Sequence, residues 1–203
     1  MRGVAAPELG SWAPASVHEV AALFADFPGP WWIAGGFAIE LAAGRAIRSH
    51  DDIDVGLLRA DHLHAHAALP GWELWAADPP GQLRPWERGE PLPGQVHDVW
   101  CRPHATAPWR VQLMIDESDG SDWVSRRDPR LRRPLREIVR TTADGVPFLA
   151  PEVQLHHKAR ARRPKDVVDL HAARPVLGAA EREWLRDAIS AAEPDHPWLA
   201  LLR

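Results

Sequence analysis

The apolar residues near the beginning of the chain follow first a helical and then a strand-like pattern. Ser16 and Glu19 have the spacing of a capping box, and apolar residues follow at helical intervals as far as Phe27. The apolar run 31–34 is typical of a buried strand, and a pair of glycines interrupts it. Continued along the chain, the pattern predicts helices over 17–27, 37–43 and 61–69, and strands over 31–34, 53–58, 72–76, 97–101 and 109–115.

The segment 79–94 interrupts this order, because eight of its 16 residues are proline or glycine. That composition predicts a loop, and a loop of this length within a compact domain is often functional.

The chain becomes helical from residue 151 onwards. Pro151 and Pro164 each stand where a first helical residue would, with an acid soon after. A third amphipathic helix follows over 180–189. The order of elements predicts an α+β fold with a small mixed β-sheet flanked by helices. We expect a core over residues 1–150 and a helical C-terminal subdomain over residues 151–203.

The composition narrows the class of protein. Of the 203 residues, 45% are hydrophobic and 26% are charged, and the net charge of −4 argues against a protein that coats nucleic acid. Cys101 is the single cysteine, which excludes a disulfide within the chain. No apolar run approaches the roughly 20 residues of a membrane helix, and residues 1–15 lack the apolar core of a secretory signal. We therefore expect a cytoplasmic protein without a membrane partner.

Two carboxylates carry the strongest chemical signal in the chain. Asp52 and Asp54 stand two residues apart at the start of a predicted strand, so their side chains share a face. Because neighbouring carboxylates repel each other, a divalent cation between them would stabilise the pair. Mg²⁺ is commonly held by one or two carboxylates together with substrate phosphates.

The glycine pair Gly35 and Gly36 lies between a predicted strand and a predicted helix. This arrangement directs backbone N–H groups of the helix N-terminus towards an anion. The absence of side chains at the turn allows a triphosphate to approach the backbone closely.

The segment 35–55 resembles the nucleotidyltransferase superfamily that includes DNA polymerase β. The similarity is greatest to the aminoglycoside and lincosamide nucleotidyltransferases and their bacterial relatives, and it is carried by the glycine pair, Gly44-Arg45, Arg48, His50 and the Asp52–Val55 stretch. The resemblance implies a nucleotidyltransferase core in which Gly35 and Gly36 hold nucleotide phosphates. It also implies that Asp52 and Asp54 bind two Mg²⁺ ions. A nucleoside monophosphate would then pass from an NTP such as ATP to an acceptor hydroxyl.

A third carboxylate is expected on the strand 109–115, because the family usually has one there. Gln112 stands at the expected position, although its amide cannot act as a base and is a poor ligand for Mg²⁺. Asp116 lies on the same face but roughly 13 Å further along, and Asp98 lies on the neighbouring strand. We take Asp116 as the third catalytic residue, with Asp98 or no third acid as the alternatives.

Cationic residues in two segments of the chain, 45–48 and 158–165, are candidates for binding phosphate. Lys158 and Lys165 are the only lysines and lie in a strongly basic segment, so we expect Lys158 to reach the triphosphate. Arg45 and Arg48 are further candidates to neutralise its charge.

Two charged clusters bear on the identity of the acceptor. Seven arginines between 126 and 140 would suit a polyanion such as tRNA, but we interpret them as a solvated charged face. Four acids between 116 and 122 would suit a cationic small molecule, but we interpret the segment as a polar loop. We favour a small, antibiotic-like acceptor over nucleic acid. The other hypotheses are a catalytically silent nucleotide-binding protein and a toxin-like enzyme acting on RNA or protein.

Overall fold

The structure is a computed structural model that describes residues 10–203. Most of the segment 1–15, where no secretory signal is expected, lies outside the described residues. The described part has ten strands: β1 (Trp31–Ile33), β2 (Asp54–Leu58), β3 (Glu73–Ala77), β4 (Leu83–Pro85), β5 (Asp98–Arg102), β6 (Val111–Asp119), β7 (Asp122–Val124), β8 (Arg132–Pro134), β9 (Val139–Thr141) and β10 (Pro147–Leu149).

Eight α-helices accompany the strands in the described part of the chain. They are α1 (Val17–Leu23), α2 (Gly35–Ala43), α3 (Ala65–Ala68), α4 (Leu135–Ile138), α5 (Pro151–Ala159), α6 (Pro164–Ala173), α7 (Ala179–Ala192) and α8 (Trp198–Leu201). The α+β class and the mixed sheet predicted from the sequence are confirmed.

The strands form one mixed sheet in the order β4-β3-β5-β6-β2-β1-β10-β9, with β7 and β8 continuing from β6. Strand β2 runs parallel to β6, and β1 runs parallel to β10. The register places Asp54 opposite Gln112 and Leu58 opposite Asp116. The centre of the sheet therefore brings the start of β2 beside the start of β6.

Local sequence signals determine the ends of the first two helices. Ser16 caps α1: its Oγ accepts a hydrogen bond from the N–H of Glu19 at 3.2 Å, and Glu19 Oε2 accepts one from Ser16. This helix ends at Leu23, before the predicted Phe27. Helix α2 starts at Gly35, two residues earlier than predicted, and closes at Gly44 in the left-handed conformation.

The C-terminal helices pack against α2 through an apolar cluster. Ile39 of α2 lies with Leu155, Leu170, Leu185 and Ile189, all of them buried. This packing brings α5 and α6 to the same side of the sheet as the glycine pair. The division of the chain at residue 150 stays a prediction.

Two segments that were predicted to be loops contain strands. Residues 83–85 form β4, which pairs with β3 at the edge of the sheet, where proline is tolerated. Residues 116–122 form the end of β6 and the start of β7, which pair as a hairpin. The sequence pattern also missed β7, β8, β9, β10, α4 and α8, because each has only three or four residues.

No helix within residues 10–203 is both long and apolar enough to span a membrane. Cys101 is a buried free thiol.

Candidate active site

The carboxylates of Asp52 and Asp54 lie at the beginning of β2, beside the end of β1 and the first turn of α2. The N–H of Ala34 donates to the carbonyl oxygen of Asp54 at 2.8 Å, which fixes the turn to the strand. Burial, together with the charge of Asp52, raises the pKa of Asp54 to about 7. Because it is unfavourable to ionise both carboxylates here, a bound divalent cation would stabilise the charged pair.

The glycine pair begins α2 directly against this carboxylate. Gly35 has φ +67°, and a Cβ atom there would overlap Oδ2 of Asp54; a Cβ at Gly36 would overlap Arg48 and His50. The N–H of Gly35 donates to Oε1 of Gln154 at 2.7 Å. The remaining N–H groups of the first turn have no acceptor within the helix, so this end of α2 suits an anion.

The segment between α2 and β2 is folded back onto α2. Oε1 of Glu40 accepts hydrogen bonds from the N–H groups of Ile47 and Arg48, at 2.8 and 3.1 Å. The ring of His50 stacks on Phe37 with a centroid separation of 4.1 Å. These contacts order the entrance to β2.

A buried ion network connects this segment to α5 and α6. Arg48 donates from Nε and from its terminal nitrogen to the two oxygens of Asp169, both at 2.9 Å. Lys158 Nζ lies 2.9 Å from Asp169 and 3.5 Å from Asp166, and Arg163 also pairs with Asp166. Although burial alone would raise it, hydrogen bonds from Arg48 and Lys158 lower the pKa of Asp169. The two acids therefore hold three cations at the cleft.

The acid pair, the glycine pair and the ion network surround one cleft of about 240 Å³. Three carboxylates and six cationic side chains line this cleft: Asp52, Asp54, Asp116, Arg48, Arg126, Arg127, Lys158, Arg163 and Lys165. An excess of positive charge around a carboxylate pair is what a metal-bound polyphosphate requires.

The structure does not bring Arg45 to this cleft. Arg45 follows Gly44 at the C-terminal end of α2, opposite the end where the glycine pair lies. It borders a different depression, together with Thr141 and Phe148. The prediction that Arg45 neutralises phosphate charge therefore has no structural support, because its proximity in sequence to Arg48 is not proximity in space.

The position opposite Asp54 holds an amide. Gln112 pairs with Asp54 across β2 and β6, and its Nε2 donates to Oδ1 of Asp98 at 3.2 Å. Asp116 lines the cleft but lies opposite Leu58, and burial raises its pKa to about 6. Residues 10–203 contain no group of three or more His, Cys, Asp or Glu side chains arranged to hold a metal.

Several cleft residues were not identified from the sequence. Gln154 and His157 lie on α5 beside Lys158, and nothing in their spacing distinguishes them from other helical residues. Arg126 and Arg127 belong to the arginine run that was interpreted as a solvated face. No sequence signal separates Arg126 and Arg127 from the rest of the run, which contains a second adjacent pair, Arg132-Arg133.

The other five arginines of the run are paired with acids. The pairs are Arg130–Asp128, Arg132–Asp119, Arg133–Glu152, Arg136–Glu137 and Arg140–Glu181. Glu117, from the acidic cluster, is likewise paired with Arg59 at 2.7 Å. Neither cluster therefore forms a free surface of one charge.

Comparisons with known proteins agree with this geometry. A family model described as aminoglycoside-2''-adenylyltransferase matches residues 16–71, which contain both the glycine pair and the acid pair. The crystal structure of ANT(2")-Ia in complex with adenylyl-2"-tobramycin is similar, with a TM-score of 0.57 and 18% identity over 87% of this chain and 95% of that one. No curated protein sequence is similar enough to this chain to count as a match.

Two further solved structures share the architecture. The lincosamide antibiotic adenylyltransferase LnuA, bound to lincomycin, has a TM-score of 0.56 and 14% identity over 83% of this chain and all of that one. The solution structure of ANT(2'')-Ia has a TM-score of 0.54 and 19% identity over 88% of this chain and 91% of that one. The chain thus has the nucleotidyltransferase fold. Within that fold it resembles the aminoglycoside and lincosamide nucleotidyltransferases, as its sequence motif predicts.

Proposed function

We propose that this protein is an enzyme that transfers a nucleoside monophosphate from an NTP to a hydroxyl group of a small-molecule acceptor. The observation that carries the proposal is the position of Asp52 and Asp54 beside the Gly35–Gly36 turn, in a cleft lined by six cations. A cytoplasmic location fits the proposal, because nucleoside triphosphates are available there.

The residues present fit Mg²⁺. Asp52 and Asp54 would hold it, since burial and mutual repulsion leave Asp54 in need of a counter-charge. When bound, the metal would polarise the phosphate and lower the pKa of the attacking hydroxyl. Two ions are predicted from the family resemblance, and Asp52 and Asp54 would have to serve both.

The chain itself would bind and orient the triphosphate. The first turn of α2 offers N–H groups, and Lys158 and Arg48, fixed by Asp169, offer positive charge. The hydroxyl oxygen then bonds to the α-phosphorus, the bond from this phosphorus to the bridging oxygen breaks, and pyrophosphate leaves. Positioning and electrostatic stabilisation would supply most of the rate acceleration.

The small molecules bound in two of the similar structures suggest which substrates to test first. ANT(2")-Ia is described with adenylyl-tobramycin and LnuA as an adenylyltransferase with lincomycin. We therefore propose ATP as the first donor and hydroxyl-bearing antibiotics of these two classes as the first acceptors.

Calorimetry with ATP, GTP, CTP and UTP in the presence of Mg²⁺ tests the proposal. We expect Mg²⁺-dependent binding of at least one NTP by the wild type, lost in Asp54→Asn and retained in Asp26→Asn, which alters an exposed residue of the same type. Pyrophosphate release with tobramycin or lincomycin then tests transfer. Binding of no NTP would contradict the proposal.

Gln112 favours one alternative, a nucleotide-binding protein without catalysis. Its amide faces Asp54, where the resemblance implies a carboxylate. NTP binding without pyrophosphate release would support that alternative. The alternative of an enzyme acting on RNA loses its motivation, because five arginines of the 126–140 run are paired with acids.

A further inference from the structure

Three side chains on neighbouring strands share one face of the sheet. Asp54 pairs with Gln112 across β2 and β6, and Gln112 pairs with Trp100 across β6 and β5. Asp98 lies two residues before Trp100, so its side chain is on the same face. Asp98 is therefore a diagonal neighbour of Gln112, on the side away from Asp54.

Gln112 lies between Asp98 and Asp54 and is hydrogen-bonded to Asp98. Nε2 of Gln112 donates to Oδ1 of Asp98 at 3.2 Å, which orients this carboxylate. The charge of Asp98 contributes to the raised pKa of Asp54, so the two groups are within electrostatic reach of each other. An amide at position 112 cannot act as a base, but it can hold a carboxylate that does.

Asp116 has a different environment. It is only 4% exposed, its Oδ1 lies 3.6 Å from Nε of Arg126, and it faces Leu58 rather than Asp54. This pairing gives Asp116 a structural partner at the far end of the cleft.

Asp98 does not line the cleft itself but borders a second depression beside it. Its volume is about 300 Å³, and Gln112 lines both spaces. Trp100 forms part of its wall, and residues 81–83, from the segment predicted to be a functional loop, form another part. An acceptor lying in this depression would meet the nucleotide at Gln112, with the carboxylate of Asp98 beside it.

We propose that Asp98 takes the proton from the acceptor hydroxyl and that Gln112 is the residue that positions it. The inference rests on the proposed nucleotidyl transfer. As the hydroxyl oxygen bonds to the α-phosphorus and pyrophosphate leaves, its proton moves to a carboxylate oxygen of Asp98 and then to solvent. The third acid of this protein thus comes from β5 instead of β6.

An exchange of the two side chains tests the inference. The variants are Asp98→Asn, Gln112→Asp, the double variant Asp98→Asn/Gln112→Asp, Asp116→Asn for the competing acid, and Asp26→Asn as the exposed control. Each is measured for NTP binding by calorimetry with Mg²⁺, and for pyrophosphate release with tobramycin, with lincomycin and with water as acceptor.

We expect Asp98→Asn to lower kcat at least about 100-fold, the lower range for loss of a general base, while the Kd for NTP changes less than about threefold. The double variant should recover much of the rate, because it returns a carboxylate to the position opposite Asp54 and keeps an amide to hold it. A role of Asp98 in folding alone would not give this recovery.

Three results would overturn the inference. The first is full activity in Asp98→Asn, and the second is a loss of activity in Asp116→Asn while Asp98→Asn stays active. The third is a wild type that binds NTP but releases no pyrophosphate, since Asp98 would then not complete the site. Failure of the wild type to bind any NTP would instead contradict the proposed function itself.

Discussion

The Cα atom of Gly35 lies so close to the carboxylate of Asp54 that no side chain can be placed between them. The contact joins the first residue of α2 to the first residue of β2. The glycine thus has two functions at one position: it adopts the positive φ of the turn, and it leaves room for the acid. Gly44 has nearly the same φ, +66°, but no atom within 4 Å of its Cβ position.

The two glycines allow backbone strain to be separated from crowding. We expect Gly44→Ala to cost about 1 kcal/mol of unfolding free energy, because only the positive φ is penalised. Gly35→Ala should cost about 3 kcal/mol, because the new methyl group must also displace Asp54. Denaturant unfolding and NTP calorimetry measure both variants. Equal costs, with NTP binding retained in Gly35→Ala, would contradict the assigned contact.

Asp54 should make the metal-free protein less stable as the pH rises. Burial and Asp52 raise the folded-state pKa to about 7, so between about pH 4 and 7 the folded state binds more protons than the unfolded state. The free energy of unfolding therefore falls across this window. We expect Asp54→Asn to stabilise the protein by about 2 kcal/mol at pH 8, after allowance for solvent screening, and by little at pH 4.

Thermal unfolding in a chelating buffer at pH 4 and pH 8 measures this difference, with Asp26→Asn as the control. Added Mg²⁺ should stabilise the wild type at pH 8 and leave Asp54→Asn unchanged, because a ligand that binds only the folded state raises its stability. Stabilisation of Asp54→Asn that is equal at both pH values would contradict the raised pKa.

The central part of the fold was predictable because its signals are local. A strand, two glycines, a helix and an Asp-x-Asp pair lie within about 25 residues, and each step has its own physical cause. The positions of Gly35, Asp52 and Asp54 at one cleft agree with that prediction.

The rest depended on contacts between distant segments. Gln154 accepts the N–H of Gly35 across 119 positions in sequence, and the Gln112–Asp98 hydrogen bond depends on the pairing of β5 with β6. Strands of three residues, such as β8 and β10, are too short for alternation to be visible. Arg45 was predicted to reach the cleft because the sequence does not show that it lies at the opposite end of α2.

Asp169 should be the residue on which the cation network most depends. We expect Asp169→Asn to lower the free energy of unfolding at pH 7 by about 3 kcal/mol, because it removes the carboxylate shared by Arg48 and Lys158. It should also weaken NTP binding about tenfold, since both cations lose their orientation.

The pH dependence distinguishes this effect from simple damage to packing. The ion-pair partners of Asp169 lower its pKa in the folded state. The carboxylate of Asp169 therefore contributes to the free energy of unfolding above its unfolded-state pKa of about 4, and this contribution is lost as the pH falls through its folded-state pKa. The difference between wild type and Asp169→Asn should therefore shrink below pH 4. Asp187→Asn, at an exposed position on α7, should change stability by less than about 0.5 kcal/mol at any pH.

Arg126 and Arg136 offer a comparison between the cleft and the surface. The side chain of Arg126 is 17% exposed and lines the cleft, whereas that of Arg136 is 78% exposed and lies beside Glu137. We expect Arg126→Gln to raise the Kd for NTP about tenfold, and Arg136→Gln to leave it unchanged. Calorimetry measures the binding of NTP. Fluorescence anisotropy with a single-stranded RNA at physiological salt measures the binding of a polyanion. Normal NTP binding in Arg126→Gln, with RNA binding weakened by both substitutions, would instead favour a surface for nucleic acid.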